Sequence, residues 1–357
     1  MNGISCVTGG VIKHPLLDRA RKEFITLCVD ATDGLAILLL GPTQCGKSII
    51  LQEVTQALTQ AFRDERPGAK SIISLQVETV SEGRAKPKWL GIQLLKELDH
   101  PIYKHIGAFD EDEHYFPSKG RDEAMIRTAL KEGFGGRYTR RTCLDEVHLL
   151  TRTKDPELRA AILESIKSTC AIDRTLIAAG GYEMAYKGLF DSAHFCGRVV
   201  PFDFGSYSSD DPEHKKSWLR ILKTYSGHME LDPPSLLVDH AADLLRVNNG
   251  TLGLLDKHLW QSSIQAKAQG KPVDVGILRA CAPPEKERAA IALDIKKGKE
   301  ALQPSAGFSP VTDRTANNAQ ETAKDPPQTR RKGRSAPPFE RNPNRSPGLE
   351  VNVHDDN

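Results

Sequence analysis

A chain of 357 residues with 39% hydrophobic and 27% charged residues has ample apolar material for a large buried core, and by length it reads as about two domains. With 49 Lys and Arg against 47 Asp and Glu, the formal net charge of +2 excludes a uniformly basic surface, so affinity for nucleic acid has to come from local patches. The seven cysteines, Cys6, Cys28, Cys45, Cys143, Cys170, Cys196 and Cys281, show neither metal spacing nor a disulfide framework, and no leader or run of ~18 apolar residues is present, so a soluble cytoplasmic protein off the membrane is expected.

The apolar run Ala36 to Leu40 is the first strand pattern. It leads directly into Gly41-Pro42-Thr43-Gln44-Cys45-Gly46-Lys47-Ser48, and a helical pattern follows from Ser48 to Ala61, its apolar period beginning at Ile49. The octet fits G-x-x-x-x-G-K-[ST], the phosphate-binding P-loop, between the strand and the helix that the pattern requires. A glycine-rich turn lets several backbone N–H groups converge on phosphate, and the positive end of the following helix points at the same place. Gly41 to Ile49 are therefore expected to hold the phosphates of ATP. Lys47 supplies a mobile charge for the terminal phosphates, and the Ser48 hydroxyl is a ligand for Mg²⁺. Cys45, beside the helix amino end and next to Lys47, is expected to favour its thiolate and to react readily with alkylating agents.

Further along, Ser71 to Val77, Thr139 to Leu144, Thr175 to Ala179 and Val199 to Phe204 are short apolar or β-branched runs, with helical patterns at Pro87 to Leu98, Arg121 to Glu132 and Pro156 to Ser168 between them. Such alternation predicts an α/β fold with a parallel sheet flanked by helices. Arg140 and Arg141 make the third run less apolar than the others, and it ends at Asp145-Glu146. At the carboxyl end of a strand beside the P-loop, Asp145 can complete the Mg²⁺ shell while Glu146 polarises an attacking water as catalytic base. His148 reads as a packing residue, because no second His or Cys stands at ligand spacing. From Asp211 to about Cys281 no strand pattern occurs; Pro212 to Tyr225, Pro234 to Val247 and Leu252 to Gln269 predict a small helical domain. Trp89, Trp218 and Trp260 lie in helical patterns with apolar neighbours and are expected to pack in the core or between domains. Composition changes near Pro283. Pro284 to about Leu302 alternates Lys and Glu with Ala and Ile, a linking helix, and beyond about Gln303 the Pro-, Asn- and Arg-rich chain predicts a disordered tail.

The P-loop, "LDEVHLL", the fourth strand ending "IAAGGYEMA", the arginine in "CGRVVPFDF" and the segment "NNGTLGLLDKHLWQSSIQAKAQG" together resemble the AAA+ ATP-binding subunits of DNA transposition, the TniB and TnsC type. "HPLLDRARKEFITLCVDATDGLAILLLGPTQCGKS" is similar to that family's lead-in helix and P-loop, and "VSEGRAKPKWLGIQLLKELDHPIY" to its helix after the second strand; the likeness covers residues 10 to 282. It implies a lead-in helix at 1–34, an AAA+ P-loop ATPase core at 35–208, a helical lid domain at 209–282, and a linker helix with a disordered tail at 283–357.

The resemblance also implies ATP and Mg²⁺ as cofactors, and a catalytic set of Lys47, Glu146 and Arg198. Arg198 matches the arginine that AAA+ proteins donate into a neighbouring subunit's site. The partners implied are duplex DNA bound without sequence preference, further copies of the chain in a ring or filament, a transposase and target-selection proteins. The function implied is an ATP-dependent DNA-binding ATPase that selects the target site and recruits or activates the transposase. Arg84, Lys86 and Lys88, in the loop Ser81 to Lys88, are spaced to track a DNA backbone. The tail cluster Arg330, Arg331, Lys332 and Arg334 could bind DNA or dock a partner. Two positions depart from the family. Gly180-Gly181 replaces the polar residue at the end of the fourth strand, and no arginine opens the lid helix after Gly250; both imply slow hydrolysis. Two other readings stay open: a P-loop ATPase of another assembly, such as a secretion-associated ATPase or helicase loader, and a nucleotide-binding adaptor that hydrolyses nothing.

Overall fold

Apolar segments that alternate with helices along the chain close into one sheet. The computed structural model describes residues 5–78, 87–103, 122–151, 162, 173–189 and 196–303. β1 (Ala36–Gly41), β2 (Ile72–Gln76), β3 (Arg141–Asp145), β4 (Thr175–Gly181) and β5 (Val199–Asp203) form a parallel sheet in the order β2-β3-β4-β1-β5. β1 is buried at all six positions, which is why it reads as an uninterrupted apolar run: helices cover both of its faces.

Alternate residues of β1 feed two cores. Ile37 and Leu39 pack with Ile50, Leu51, Val54 and Leu58 of α3 (Lys47–Ala61) and with Leu17 and Phe24 of the lead-in segment. Ala36, Leu38 and Leu40 pack with α4 (Pro87–Glu97) and α5 (Glu123–Gly136), through Leu90, Leu94, Ile126 and Phe134. The lead-in segment is α1 (Pro15–Arg19), a π-helical turn (Ala20–Phe24) and α2 (Ile25–Asp30) in unbroken succession.

The polar start of β3 has a structural explanation. The Arg141 side chain is 3% exposed, donates to Asp33 Oδ1 at 2.6 Å and to the Ala31 carbonyl at 2.9 Å, and lies 4.5 Å from the Phe62 ring centroid. A buried guanidinium is tolerable here because Asp33 meets its charge and both terminal nitrogens donate, although Nε is buried without a partner; removing Asp33 would strand the charge. The helix expected over Pro156 to Ser168 lies outside the described residues, Ile162 apart.

Beyond β5 come α6 (Pro212–Ser226), α7 (Leu236–Asp239), α8 (Ala241–Val247), α9 (Leu252–Gln269), α10 (Val275–Ala280) and α11 (Glu285–Leu302). Asp211 caps α6 by accepting the Glu213 N–H at 2.8 Å. Two details differ from the sequence reading. The single helix expected over Pro234 to Val247 breaks at His240 into α7 and α8, and an isolated parallel bridge joins Leu231 to Val273. Trp218 is buried as expected, whereas Trp260 on α9 is 39% exposed and is not a core residue. The lid helices share the first core: Trp218, Leu222, Leu255 and Leu259 belong to the same buried cluster as Ile37 and Leu39. Their attachment depends on Gly250. Its φ is +63°, the Tyr207 N–H donates to its carbonyl at 3.0 Å, and a Cβ there would stand 1.9 Å from the Tyr207 carbonyl oxygen.

One compact unit spans Met1–Pro304. The second, Ser305–Asn357, and with it the expected tail, lies outside the described residues. Among the described residues, no helix is long and apolar enough to cross a membrane.

Candidate functional site

The sheet order reverses at β1. The chain leaves β1 for the far edge at β2 and ends on its other side at β5, and in open parallel sheets ligands bind outside the carboxyl ends of strands at such a reversal. A cavity of about 710 Å³ lies there, within the range of roughly 300 to 1,000 Å³ usual for small-molecule sites. Its floor is the P-loop, Thr43 to Ile49, at the amino end of α3. Gly46 has φ +107° and Gln44 φ +58°, so the turn needs glycine at position 46. Gly41 is hemmed in as well: a Cβ would stand 3.0 Å from Phe204 Cβ and 3.1 Å from Cys45 Sγ. Lys47 folds back along the loop, its Nζ donating to the Pro42 carbonyl at 2.7 Å and the Gly41 carbonyl at 3.2 Å.

Cys45 is not the reactive thiol that its neighbours in sequence suggest. It is 5% exposed, and burial raises the pKa of its thiol, a larger effect than the lowering by Lys47. Desolvation disfavours the thiolate more than a single nearby ammonium favours it.

Glu146 lines the cavity at the end of β3, with φ +58°. Asp145 turns the chain there by accepting the Glu146 N–H at 2.8 Å. Two residues outside the expected set join them. His148, read from the sequence as packing, lines the cavity with its Nδ1 2.9 Å from Glu146 Oε2 and its Nε2 3.7 Å from Glu183 Oε1. Glu183 lines the cavity two residues beyond Gly181. The glycine at the end of β4 leaves room for the chain at His148: a Cβ on Gly180 would meet Met184 Sδ at 2.9 Å and the His148 backbone nitrogen at 3.3 Å. The sequence signal was present in "GGYEMA", but only the fold carries a residue past the strand end back to the P-loop.

The lead-in segment and the lid also line the cavity, the first through Val11, Ile12, His14 and Leu17 and the second through Tyr225, Leu252, Gly253 and Asp256. The Gly253 N–H donates to the Gln44 carbonyl at 3.0 Å, so α9 rests directly on the P-loop. Asp256 of α9 is 8% exposed; it accepts from the Ser5 hydroxyl, from the Cys6 N–H at 2.8 Å and from the Tyr225 hydroxyl at 3.0 Å, which ties the lead-in to the lid.

His14 is buried with its Nδ1 3.0 Å from the Tyr207 hydroxyl. Desolvation, offset in part by Asp18, lowers its pKa from 6.5 to about 4. The native state therefore resists protonation, and the stability this confers is fully present above pH 6.5 and is lost as pH falls toward 4. The loss should reach about 3 kcal/mol, at about 1.4 kcal/mol per pH unit. Urea unfolding across that window measures it, and His14→Gln should flatten this part of the profile.

The donors fit a hard cation. Ser48, Asp145 and Glu146 offer only oxygen, as Mg²⁺ prefers, and no group of three His, Cys, Asp or Glu among the described residues is arranged to hold a metal alone, so phosphate oxygens would have to complete the shell. Arg198 stands elsewhere. It is exposed and immediately precedes β5, its carbonyl accepting the Ala36 N–H at 2.8 Å at the start of β1, whereas the P-loop follows the end of β1. Of the expected DNA-contacting residues, Lys88 lies in the first turn of α4, while Arg84 and Lys86 fall outside the described residues.

No protein-family model and no curated protein matches the chain. Among solved structures it is similar to the ORC2 protein of Aeropyrum pernix in ADPNP–ADP complexes, at 12% identity over 80% of this chain and 78% of that one, with a TM-score of 0.48. The ADP form of that protein gives 12% identity over 74% and 65%, with a TM-score of 0.45. Drosophila ORC bound to DNA gives 13% identity over 75% and 60%, with a TM-score of 0.47. Identities this low and TM-scores below 0.5 leave the function to be read from the residues of this chain.

Proposed function

We propose that this protein is a DNA-associated AAA+ ATPase that assembles on duplex DNA and regulates transposition, selecting the target and recruiting or activating the transposase. The observation that carries the ATPase reading is the meeting of Thr43–Ile49, Glu146 and Glu183 on one cavity, at the carboxyl ends of parallel strands and under a helical lid. A phosphate cradle supplies binding, and a carboxylate at the γ-phosphate end supplies a base for water. Mg²⁺, held by Ser48 and Asp145 with the phosphates, would neutralise charge on the transferred group. Transposition itself rests on the sequence resemblance alone.

Lys47→Ala tests the reading. The bonds of Lys47 Nζ all fall within the P-loop, to the Gly41 and Pro42 carbonyls and to Cys45 Sγ, so the variant should stay folded and lose tight ATP binding. Equal affinity of wild type and variant in a calorimetric titration, with both folded, would sink the assignment. ATP binding without turnover, alone or on DNA, would favour the adaptor reading instead.

For DNA, changing Arg84, Lys86 and Lys88 together to Ala should weaken binding to every sequence alike. Each lost phosphate contact should lower the slope of log affinity against log salt by about 0.9. Loss confined to one sequence would indicate base reading, and an unchanged slope would move the DNA surface elsewhere.

A further inference from the structure

The helix read from the sequence as a linker returns to the core. We propose that α11 (Glu285–Leu302) is a strap forming one wall of the nucleotide cavity, and that its undocking controls how fast nucleotide leaves; this rests on the nucleotide-site reading above. Ala290, Ile291 and Asp294 line the same cavity as Lys47, Glu146 and Glu183.

Three separate anchors hold the strap. The Tyr186 hydroxyl, in the π-helical turn after β4 (Ala185–Leu189), donates to Asp294 Oδ1 at 2.6 Å. Gly298 lies against Tyr182 so closely that a Cβ would stand 2.2 Å from its Cγ and 2.4 Å from its Cβ, and Ile295 is buried in the same cluster as Tyr182 and Ala185. Toward the lid, Asn249 Nδ2 donates to the Arg288 carbonyl at 3.1 Å, and Lys257 Nζ lies 3.6 Å from Glu287 Oε1. α11 therefore spans from the lid helices to the segment that carries Glu183, touching both of these sides of the cavity.

The attachment is shallow. Of 18 residues only Ile295 and Gly298 are buried, and a charged helix of that length is marginal in water without its docking surface. Segments with few buried contacts open at the low end of a protein's range of local stability. The strap is thus built to release without unfolding the sheet, whose strands lie in far denser contact. Tyr182 and Glu183 follow directly on β4, so a rearrangement at the phosphate end of the cavity acts on the seat of Gly298.

The test uses the full-length chain loaded with a fluorescent ADP analogue and chased with excess ATP. Gly298→Val, which cannot seat against Tyr182, should speed release by about tenfold or more, the factor that about 1.4 kcal/mol of lost docking would give. Tyr186→Phe, which deletes only the bond to Asp294, should shift release in the same direction by less. Lys296→Ala, on the exposed side of the helix, should leave it unchanged. Hydrogen exchange gives the structural readout: the α11 amides should exchange faster in Gly298→Val while those of α3 and the sheet do not. Faster α11 exchange with an unchanged release rate would overturn the strap, and so would unchanged α11 exchange. If Gly298→Val does not fold, Tyr186→Phe decides, and wild-type release in that variant overturns the strap. A wild-type protein that binds neither the analogue nor ATP would remove the nucleotide reading and the strap together, an outcome distinct from binding with unaltered release.

Discussion

Arg198→Ala is expected to bind ATP almost as wild type does and to lose assembly-stimulated hydrolysis by up to the roughly 10³ to 10⁵ associated with arginine fingers. The topology argues that any such role is exercised in trans. Arg198 precedes β5 at the amino edge of the sheet, paired through its carbonyl with Ala36, while the P-loop follows Gly41 at the opposite edge. Five residue steps along β1 separate the two edges by about 17 Å at about 3.3 Å each, too far for a guanidinium to reach its own subunit's phosphates. A mixing experiment decides. An Arg198→Ala protomer keeps its P-loop and Glu146, and a Lys47→Ala protomer keeps Arg198, so mixed assemblies contain some complete composite sites. Partial recovery of hydrolysis from two individually inactive proteins would support a shared site. No recovery, with mixed oligomers shown to form, would mean that Arg198 plays no such part.

Glu146→Gln should leave ATP affinity intact and slow hydrolysis by about two to four orders of magnitude, the usual contribution of a positioned base. The amide keeps the shape of the carboxylate but cannot take a proton from water. The surroundings of Glu146 make the test specific: its carboxylate stands 2.9 Å from His148 Nδ1, and its φ of +58° aims it from a constrained turn. A variant that hydrolyses at the wild-type rate would show that the acidic pair is structural. If the ATP form is the one that assembles, the same variant should also hold DNA longer.

Much of the fold was legible because its signals are local. The P-loop, the buried run of β1 and the full extent of α9 follow from glycine placement and from hydrophobic period, which short stretches of chain carry by themselves. The break at His240 was not legible, because the apolar period runs on through it: Leu236 and Leu237 before it and Leu244 and Leu245 after it are buried in one core. Arg141 looked like a flaw in a strand until Asp33 and Phe62, distant in sequence, were seen to surround it. Cys45 was misread for the opposite reason: its neighbours in sequence suggest an activated thiol, and burial by residues far along the chain reverses the sign.

By itself, then, the sequence determined where the glycine-rich turn between β1 and α3 lies, which strand ends in the carboxylate pair, and that the sheet is parallel, since each of these depends on residues within a few positions of one another. The tertiary structure alone decided that His148 and Glu183 share the cavity with Glu146, that α9 rests on Gln44, that α11 returns to line the same cavity, and that Arg198 stands at the end of β1 opposite the P-loop. Those facts are distances between segments remote in sequence. They are fixed by strand order and by which side chains can be buried together, and no local pattern of residues encodes them.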